Sequence, residues 1–378
     1  MIVGLGELGG RLLEYLVRVP NLGWRVVAAA RDEDVGLRKT NAAIFSASYL
    51  GYYPDVAYCR VDLADISRTA ETLHRVSPAI IVNATTLAAW WIRDLLPESI
   101  RARLTAVGAG PGLWAAGHLA LTYKLMSAVQ QAGISPIVVN SAYPDVVNVA
   151  LARCGLMPTV GIGNIDLLVP AIQHQVASSL GVPMRQVVPY MVAHNFHSSN
   201  ILLNGTTHGV PLFLKILVNG SDVTSRMNPE SLFANIRRFS SIPPAAGASA
   251  VAAGSLSKTV LGLMNDTHER THAPGPTGLP GGYPIQLSQD EIKVVLPDDI
   301  TMDEAIQINE AGQRAEGIER IEADGTIVLT ELAQSVLSDV FDLRIKQFRP
   351  DEAETVAQEL RSHLRALGER FGLRLPVH

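Results

Sequence analysis

Met1-Ile-Val-Gly4-Leu-Gly6-Glu7-Leu8-Gly9-Gly10 opens the chain, and its reading decides how the rest is read. Gly4, Gly6 and Gly9 form a G-x-G-x-x-G run between a short apolar segment and an amphipathic stretch from Arg11 to Val19. A strand, a glycine turn and a helix in that order are what a dinucleotide-binding fingerprint requires. The first glycine permits the tight turn, the second lets the backbone approach a pyrophosphate, and the third lets helix and strand pack closely. Phosphates would then face the N–H groups of the first helical turn, which assigns Gly4, Gly6, Glu7, Leu8 and Gly9 to the cofactor. So few residues precede Gly4 that the first strand is expected to be truncated or to start upstream.

Outward from this turn the chain alternates strands and helices. Arg25 to Ala30 reads as a second strand, Val56 to Val61 as a third and Ala79 to Asn83 as a fourth, with a helix from about Ser67 to Val76. Pro136 to Asn140 gives a further buried strand after a helix from Gly112 to Gln131. This order builds a parallel sheet, whose ligands sit at the strand C-termini. Asn83, Ala84 and Thr85 are therefore placed beside the cofactor, and Asp62 either caps a helix or meets the adenine. An acidic residue at the end of the second strand would bind a ribose 2′-hydroxyl. Here Arg31 follows Ala30 directly, so a 2′-phosphate and hence NADP is expected, with NAD as the alternative through Asp32.

With 378 residues the chain suits more than one core. The expected architecture is α/β: a Rossmann-type parallel sheet domain over residues 1–145, an α+β substrate domain over 146–335 and a helical tail over 336–378. A net charge of −5 without a basic cluster argues against nucleic acid. No apolar run is long enough to span a bilayer, and the two cysteines, Cys59 and Cys154, read as packing residues. A cytoplasmic homo-oligomer acting on a small molecule is the expectation. In the second half, Asn204-Gly205 and Asn219-Gly220 both signal hairpin turns. Trp90 and Trp91 leave the crevice as a candidate lid or as packing residues. The stiff Gly275–Pro284 loop borders either the pocket or the surface.

Several segments together resemble the lactate/malate dehydrogenase superfamily, which also includes NAD-dependent family 4 glycosidases. They are the glycine turn, Asn140 in Val-Val-Asn140-Ser-Ala-Tyr-Pro144-Asp145, the Gly161-Ile-Gly163-Asn164-Ile-Asp166 run, and the histidine of Val-Ala-His194-Asn-Phe-His197. The resemblance implies that His194 is the acid/base, Asp166 its orienting carboxylate, and Asn140 the residue that orients nicotinamide and substrate. Arg93 becomes a candidate for polarising the substrate oxygen. Such a histidine supplies the proton that a carbonyl needs when it accepts hydride. His197 competes with His194 for that role.

Two departures from the family pattern shape the functional expectation. Val169 stands where the dehydrogenases carry an arginine that clamps a carboxylate, so a simple 2-hydroxy acid is not expected. Gly163 stands where the glycosidases carry a metal-binding cysteine, so no metal is expected. The leading reading is an NADPH-preferring oxidoreductase of carbonyl/alcohol or imine/amine pairs. A redox-recycling glycosidase or lyase, and a dinucleotide-binding protein without turnover, are the alternatives.

Overall fold

The computed structural model describes residues 1–87, 91–240 and 245–375. Trp90 lies outside the described residues. The first half runs β1 (Ile2–Val3), α1 (Glu7–Leu16), β2 (Val26–Ala30), α2 (Glu33–Tyr49), β3 (Val56–Arg60), α3 (Ile66–Val76) and β4 (Ile80–Asn83). It continues through α4 (Glu98–Leu104), α5 (Ala115–Ala132), β5 (Ile137–Asn140), α6 (Pro144–Arg153) and β6 (Val160–Gly161). All six strands are parallel, in the order β3-β2-β1-β4-β5-β6. The order reverses between β1 and β4, and open parallel sheets bind their ligands at such a switch point. β6 lies beyond residue 145, so the sheet extends past the boundary drawn from sequence.

The strands are short apolar runs because both faces of the sheet are covered. Ile2, Ala28, Ile80 and Val82 face one core with α1 and α2, while Val3, Ala29, Ile81 and Val138 face the other with α3 and α5. β1 pairs with both neighbours despite its two residues. The third glycine sets how near α1 comes: a Cβ on Gly9 would stand 1.9 Å from the Gly4 carbonyl oxygen. Gly10, one residue on, would meet nothing within 4 Å. Gly9→Ala is therefore expected to cost at least about 1–3 kcal/mol of stability in denaturant unfolding. Gly10→Ala should be neutral or stabilising by up to roughly 1 kcal/mol, because alanine is the better helix former. Equal effects at the two positions would contradict the close approach.

The second half runs α7 (Ile165–Leu180), β7 (Val187–Val192), α8 (Asn195–Asn204), β8 (Phe213–Val218), β9 (Ser221–Asp222), α9 (Pro229–Phe239) and α10 (Ser249–Met264). β10 (Arg270–Pro274), β11 (Gly282–Gln286), β12 (Lys293–Val294), α11 (Met302–Ala315), β13 (Ile318–Ile321), β14 (Ile327–Leu329), α12 (Glu331–Phe341), β15 (Gln347–Phe348) and α13 (Ala353–Arg370) complete it. Three small antiparallel sheets form, β7-β8-β9, β10-β11-β12 and β13-β14-β15. Of the two Asn-Gly dipeptides, Asn219-Gly220 makes the expected hairpin, both residues having positive φ. Asn204-Gly205 instead ends α8, with Gly205 as its left-handed cap.

α13 packs on α5 and buries Ala357, Leu360, Leu364 and Leu367 against the body. Trp91 packs against the same core. Cys59 is half-buried, but Cys154 is exposed, which corrects its reading as a packing residue. Among the described residues no helix is long and apolar enough to cross a membrane.

Candidate active site

The glycine turn presents an open cradle. Gly6 N-caps α1 without any side-chain hydrogen bond, so the first-turn N–H groups have no side-chain partner. A Cβ at Gly6 would meet nothing within 4 Å, whereas one at Gly4 would strike the Ala84 carbonyl oxygen at 2.7 Å. Space lies on the side where a pyrophosphate would approach, and Ala84 and Thr85 back the turn. Glu7 is tied sideways to Arg11 Nε (2.8 Å) and Ser249 Oγ (3.2 Å), and Leu8 is half-buried beside the same core. These residues fit a dinucleotide.

At the far end of that crevice Arg31 is exposed, and its carbonyl accepts from Arg60 Nε (3.1 Å). Asp32 N-caps α2, its Oδ1 accepting from Val35 N (2.9 Å), and Glu33 and Asp34 follow in the first turn. Three carboxylates thus gather directly after β2. Asp62 is engaged locally, its Oδ1 accepting from Ala64 N (3.1 Å), while Asp65 caps α3.

Asn83 and Asn140 stand side by side at the ends of β4 and β5, both fully buried. The Asn83 amide donates to Thr122 Oγ1 (2.9 Å) and Asn140 Oδ1 (2.9 Å), and its oxygen accepts from Thr85 Oγ1 (2.6 Å) and Thr85 N (3.2 Å). The Asn140 amide donates to Asn148 Oδ1 (2.8 Å) and the Ala142 carbonyl (3.2 Å), and its oxygen also accepts from Ala142 N (3.0 Å). Each amide's two donors and two lone pairs are therefore spent. Asn140 has no capacity left to orient a substrate, and Asn83 none to bind a cofactor. Both expectations are corrected: the pair ties two strand ends together and, through Asn148, reaches the Gly275 carbonyl (2.9 Å).

His194 occupies a different kind of environment. Ala193 bridges to Gly282 at the end of β7, and His194 then N-caps α8 in full burial. The segment after β7 is thus a helix start. His194 Nδ1 lies 3.3 Å from Glu316 Oε2, and Glu316 is itself fully buried. The same carboxylate accepts from the Tyr143 hydroxyl and from Asn195 Nδ2 (2.7 Å). A second buried carboxylate, Asp145, accepts from Asn195 N (2.9 Å) and from the Asn164 amide. Tyr143 and Asn164 hold these positions with φ of 49° and 51°, left-handed values that non-glycine residues rarely adopt. His194 Nε2 is buried and has no partner among the described residues.

The chain places Glu316 by close backbone packing. Glu316 is the C-cap of α11; its carbonyl accepts from Gly112 N (2.8 Å), and the neighbouring Ala315 carbonyl accepts from Gly108 N (2.6 Å). Gly312, one turn earlier, lets α11 lie against His194, because a Cβ there would stand 2.4 Å from His194 Cβ. Burial on its own would lower the His194 pKa. The charge and hydrogen bond of Glu316, together with Asp145, outweigh it and leave the imidazole raised above its ordinary value. Burial raises the Asp145 carboxyl; the His194 charge pulls against this, the Glu316 charge adds to it, and the net shift is upward.

Asp166 is not part of this unit. Its carboxylate accepts from Lys258 Nζ (2.7 Å), Ser255 Oγ (2.6 Å) and Thr271 Oγ1 (3.2 Å), which ties the start of α7 to α10 and β10. The expected Asp166–His194 pair is corrected to Glu316–His194. His197 Nδ1 accepts from His194 N (3.0 Å), its Nε2 is buried and, like that of His194, has no partner among the described residues, and burial lowers its pKa to about 4. His272, whose Nε2 accepts from Met191 N (3.1 Å), is lowered by burial to about 4 as well. A histidine depressed below its unfolded value makes folding lose stability as pH falls from about 6.5 through its folded pKa. The thermal midpoint is accordingly expected to drop between pH 6.5 and 4, and a flat midpoint there would contradict the neutral burial of both rings. Arg93 is nearly buried; its Nε makes no hydrogen bond among the described residues and forms an ion pair with Asp94 Oδ1 at 3.7 Å. The Gly275–Pro284 loop supports the site from behind, Gly281 N donating to the Asp145 carbonyl (3.2 Å).

No family model and no curated protein matches the chain. Solved structures do. The malate dehydrogenase from Aeropyrum pernix is 14% identical with a TM-score of 0.56, covering 83% of this chain and 95% of its own. The Cryptosporidium parvum lactate dehydrogenase complexed with lactic acid and nicotinamide adenine dinucleotide is 15% identical with a TM-score of 0.56, covering 82% and 93%. The Eimeria maxima lactate dehydrogenase with NADH and oxamate is 13% identical with a TM-score of 0.57, covering 82% and 89%. The chain shares the fold of these lactate and malate dehydrogenases.

Two expectations are overturned by this likeness. The dinucleotides named with these structures are NAD and NADH, against the expected NADP. The physical reason lies at the end of β2, where Asp32, Glu33 and Asp34 would repel a 2′-phosphate. The likeness is also to lactate and malate dehydrogenases, so a simple 2-hydroxy acid is not excluded as expected from Val169. Val169 is a half-buried residue of α7 packed against the core that α7 shares with β7 and α9.

Proposed function

We propose that the protein is an NAD-dependent oxidoreductase that interconverts a 2-hydroxy acid and its 2-oxo acid. The observation that carries this reading is the buried His194, with one ring nitrogen facing Glu316 and the other free. NADH, when bound along the Gly4–Gly9 turn, supplies hydride to the carbonyl carbon. His194 Nδ1 has two competing neighbours, Glu316 Oε2 at 3.3 Å and Phe196 N at 3.4 Å; with its proton directed to the Glu316 carboxylate, Nε2 carries the transferable proton. During reduction the proton passes from Nε2 to the carbonyl oxygen; in the reverse direction Nε2 takes it back from the hydroxyl. Glu316 stabilises the imidazolium, and Tyr143 and Asn195 keep Glu316 oriented. Arg93 supplies a poorly hydrated positive charge for the substrate carboxylate or its developing oxyanion.

A 2-oxo acid panel tested with NADH and with NADPH, followed by loss of reduced-nicotinamide absorbance, checks the proposal. Turnover of at least one 2-oxo acid with NADH preferred over NADPH is expected. No turnover of any member, with NADH shown to bind, would contradict it.

A further inference from the structure

A second polar cleft lies behind α11. It measures about 100 Å³ and is bounded by α6, the turn at Pro280, α11 and β13. Arg153, Arg314 and Arg320 reach it from three different elements, with Glu310 and Glu319 at its sides. Arg320 is held by Glu322 (2.7 Å), but Arg153 and Arg314 have no hydrogen-bond or ion-pair partner among the described residues. Glu310 and Arg314 are spaced four apart on one helix and still do not pair within 4 Å.

Exposed arginines alone would mean little. Gln313 is the informative residue: it lines the cleft at only 4% exposure, and its amide has no hydrogen-bond partner among the described residues. The little surface that Gln313 keeps includes its polar atoms, so the amide lines the cleft with its hydrogen-bonding capacity unspent. Two free guanidinium forks and an amide donor converging on a small volume suit a compact oxyanion. Glu310 and Glu319 reduce the cleft to a net charge near one, which selects against large polyanions. One turn of α11 serves both sites, with Gly312 and Glu316 on the His194 side and Glu310, Gln313 and Arg314 on the cleft side.

We propose that the Arg153–Gln313–Arg314 cleft is a binding site for a compact dianion, either a phosphate or a small dicarboxylate. Thermal unfolding of the full chain tests this with inorganic phosphate and with malonate as separate probes, each against sodium chloride at matched ionic strength. A ligand roughly tenfold above its Kd should raise the midpoint by about 2–4 °C over the chloride control. A rise with one probe identifies the source of the oxyanion. Both Arg153→Ala and Arg314→Ala alter exposed side chains, so the variants should fold normally and lose that rise. An equal rise in the variants, or a rise matched by chloride, would overturn the proposal, as would no rise with either probe. Gln313→Leu gives an independent check: it should abolish the rise while preserving or increasing stability without anion. Because binding is read without turnover, its failure leaves the role of His194 untouched.

Discussion

His194→Gln is expected to slow single-turnover reduction of a 2-oxo acid by about 10²–10⁴-fold, the usual contribution of a positioned acid. That corresponds to roughly 3–5 kcal/mol of transition-state stabilisation. The dissociation constant for NADH should stay within about twofold, because the glycine turn that would hold the pyrophosphate makes no contact with this ring. Glutamine retains a polar head in the buried position and can still face Glu316, so the fold should survive. Losing hydride transfer and NADH binding together would mean that the variant has collapsed the crevice. Losing neither would remove His194 from the chemistry.

Glu316→Gln carries the second large effect, and its sign follows from the site's electrostatics. In the wild type the imidazole is raised, so the imidazolium that reduction needs persists to higher pH than an isolated histidine would allow. Reduction should therefore fall as pH rises through that raised value, while alcohol oxidation, which needs the neutral ring, should rise. Removing the Glu316 charge leaves burial as the dominant influence, and burial lowers a histidine. The midpoint of both profiles should move down. The rate at neutral pH should fall by on the order of 10²-fold, because an amide facing Nδ1 no longer fixes the tautomer. The stability contribution runs the same way: with a folded pKa above the unfolded one, it is complete below about pH 6.5 and is lost as pH rises through the folded value.

Much of the fold was legible because its signals are local. The Gly4–Gly9 turn and the apolar runs of β2, β4 and β5 each depend on residues a few positions apart. The site was less legible because its decisive contact is not local: Glu316 reaches Asn195 across 121 residues. The family resemblance pointed to His194 and to Asp166 as its carboxylate, but a motif does not say which way a side chain points. Asp166 turns toward Lys258 on α10, whereas Glu316 is delivered by a helix that follows much later. One signal for Glu316 was present. A carboxylate at a helix C-terminus opposes the helix dipole, and Glu316 sits there just before Gly317, so it called for a buried cation nearby. Asn140 shows the opposite limit, since a strand-end asparagine looks the same in sequence whether its amide is free or fully spent.

Asn-Gly dipeptides carry the same lesson at smaller scale. Asn219-Gly220 turns a hairpin and Asn204-Gly205 ends a helix, because both dipeptides merely supply a left-handed residue. What precedes them decides the outcome: a short, mostly apolar strand run in β8, and in α8 a helix started by His194 as its N-cap.

The central claim, that Glu316 holds His194 as a proton carrier, is tested most directly by titrating the His194 imidazole itself. Ring nitrogen resonances of histidine-labelled protein, assigned by difference from His194→Gln, report its protonation across pH. A midpoint above the ordinary histidine value of about 6.5 that falls in Glu316→Gln is the predicted result. A midpoint at or below about 6.5 in the wild type, or one that Glu316→Gln leaves unmoved, would contradict it.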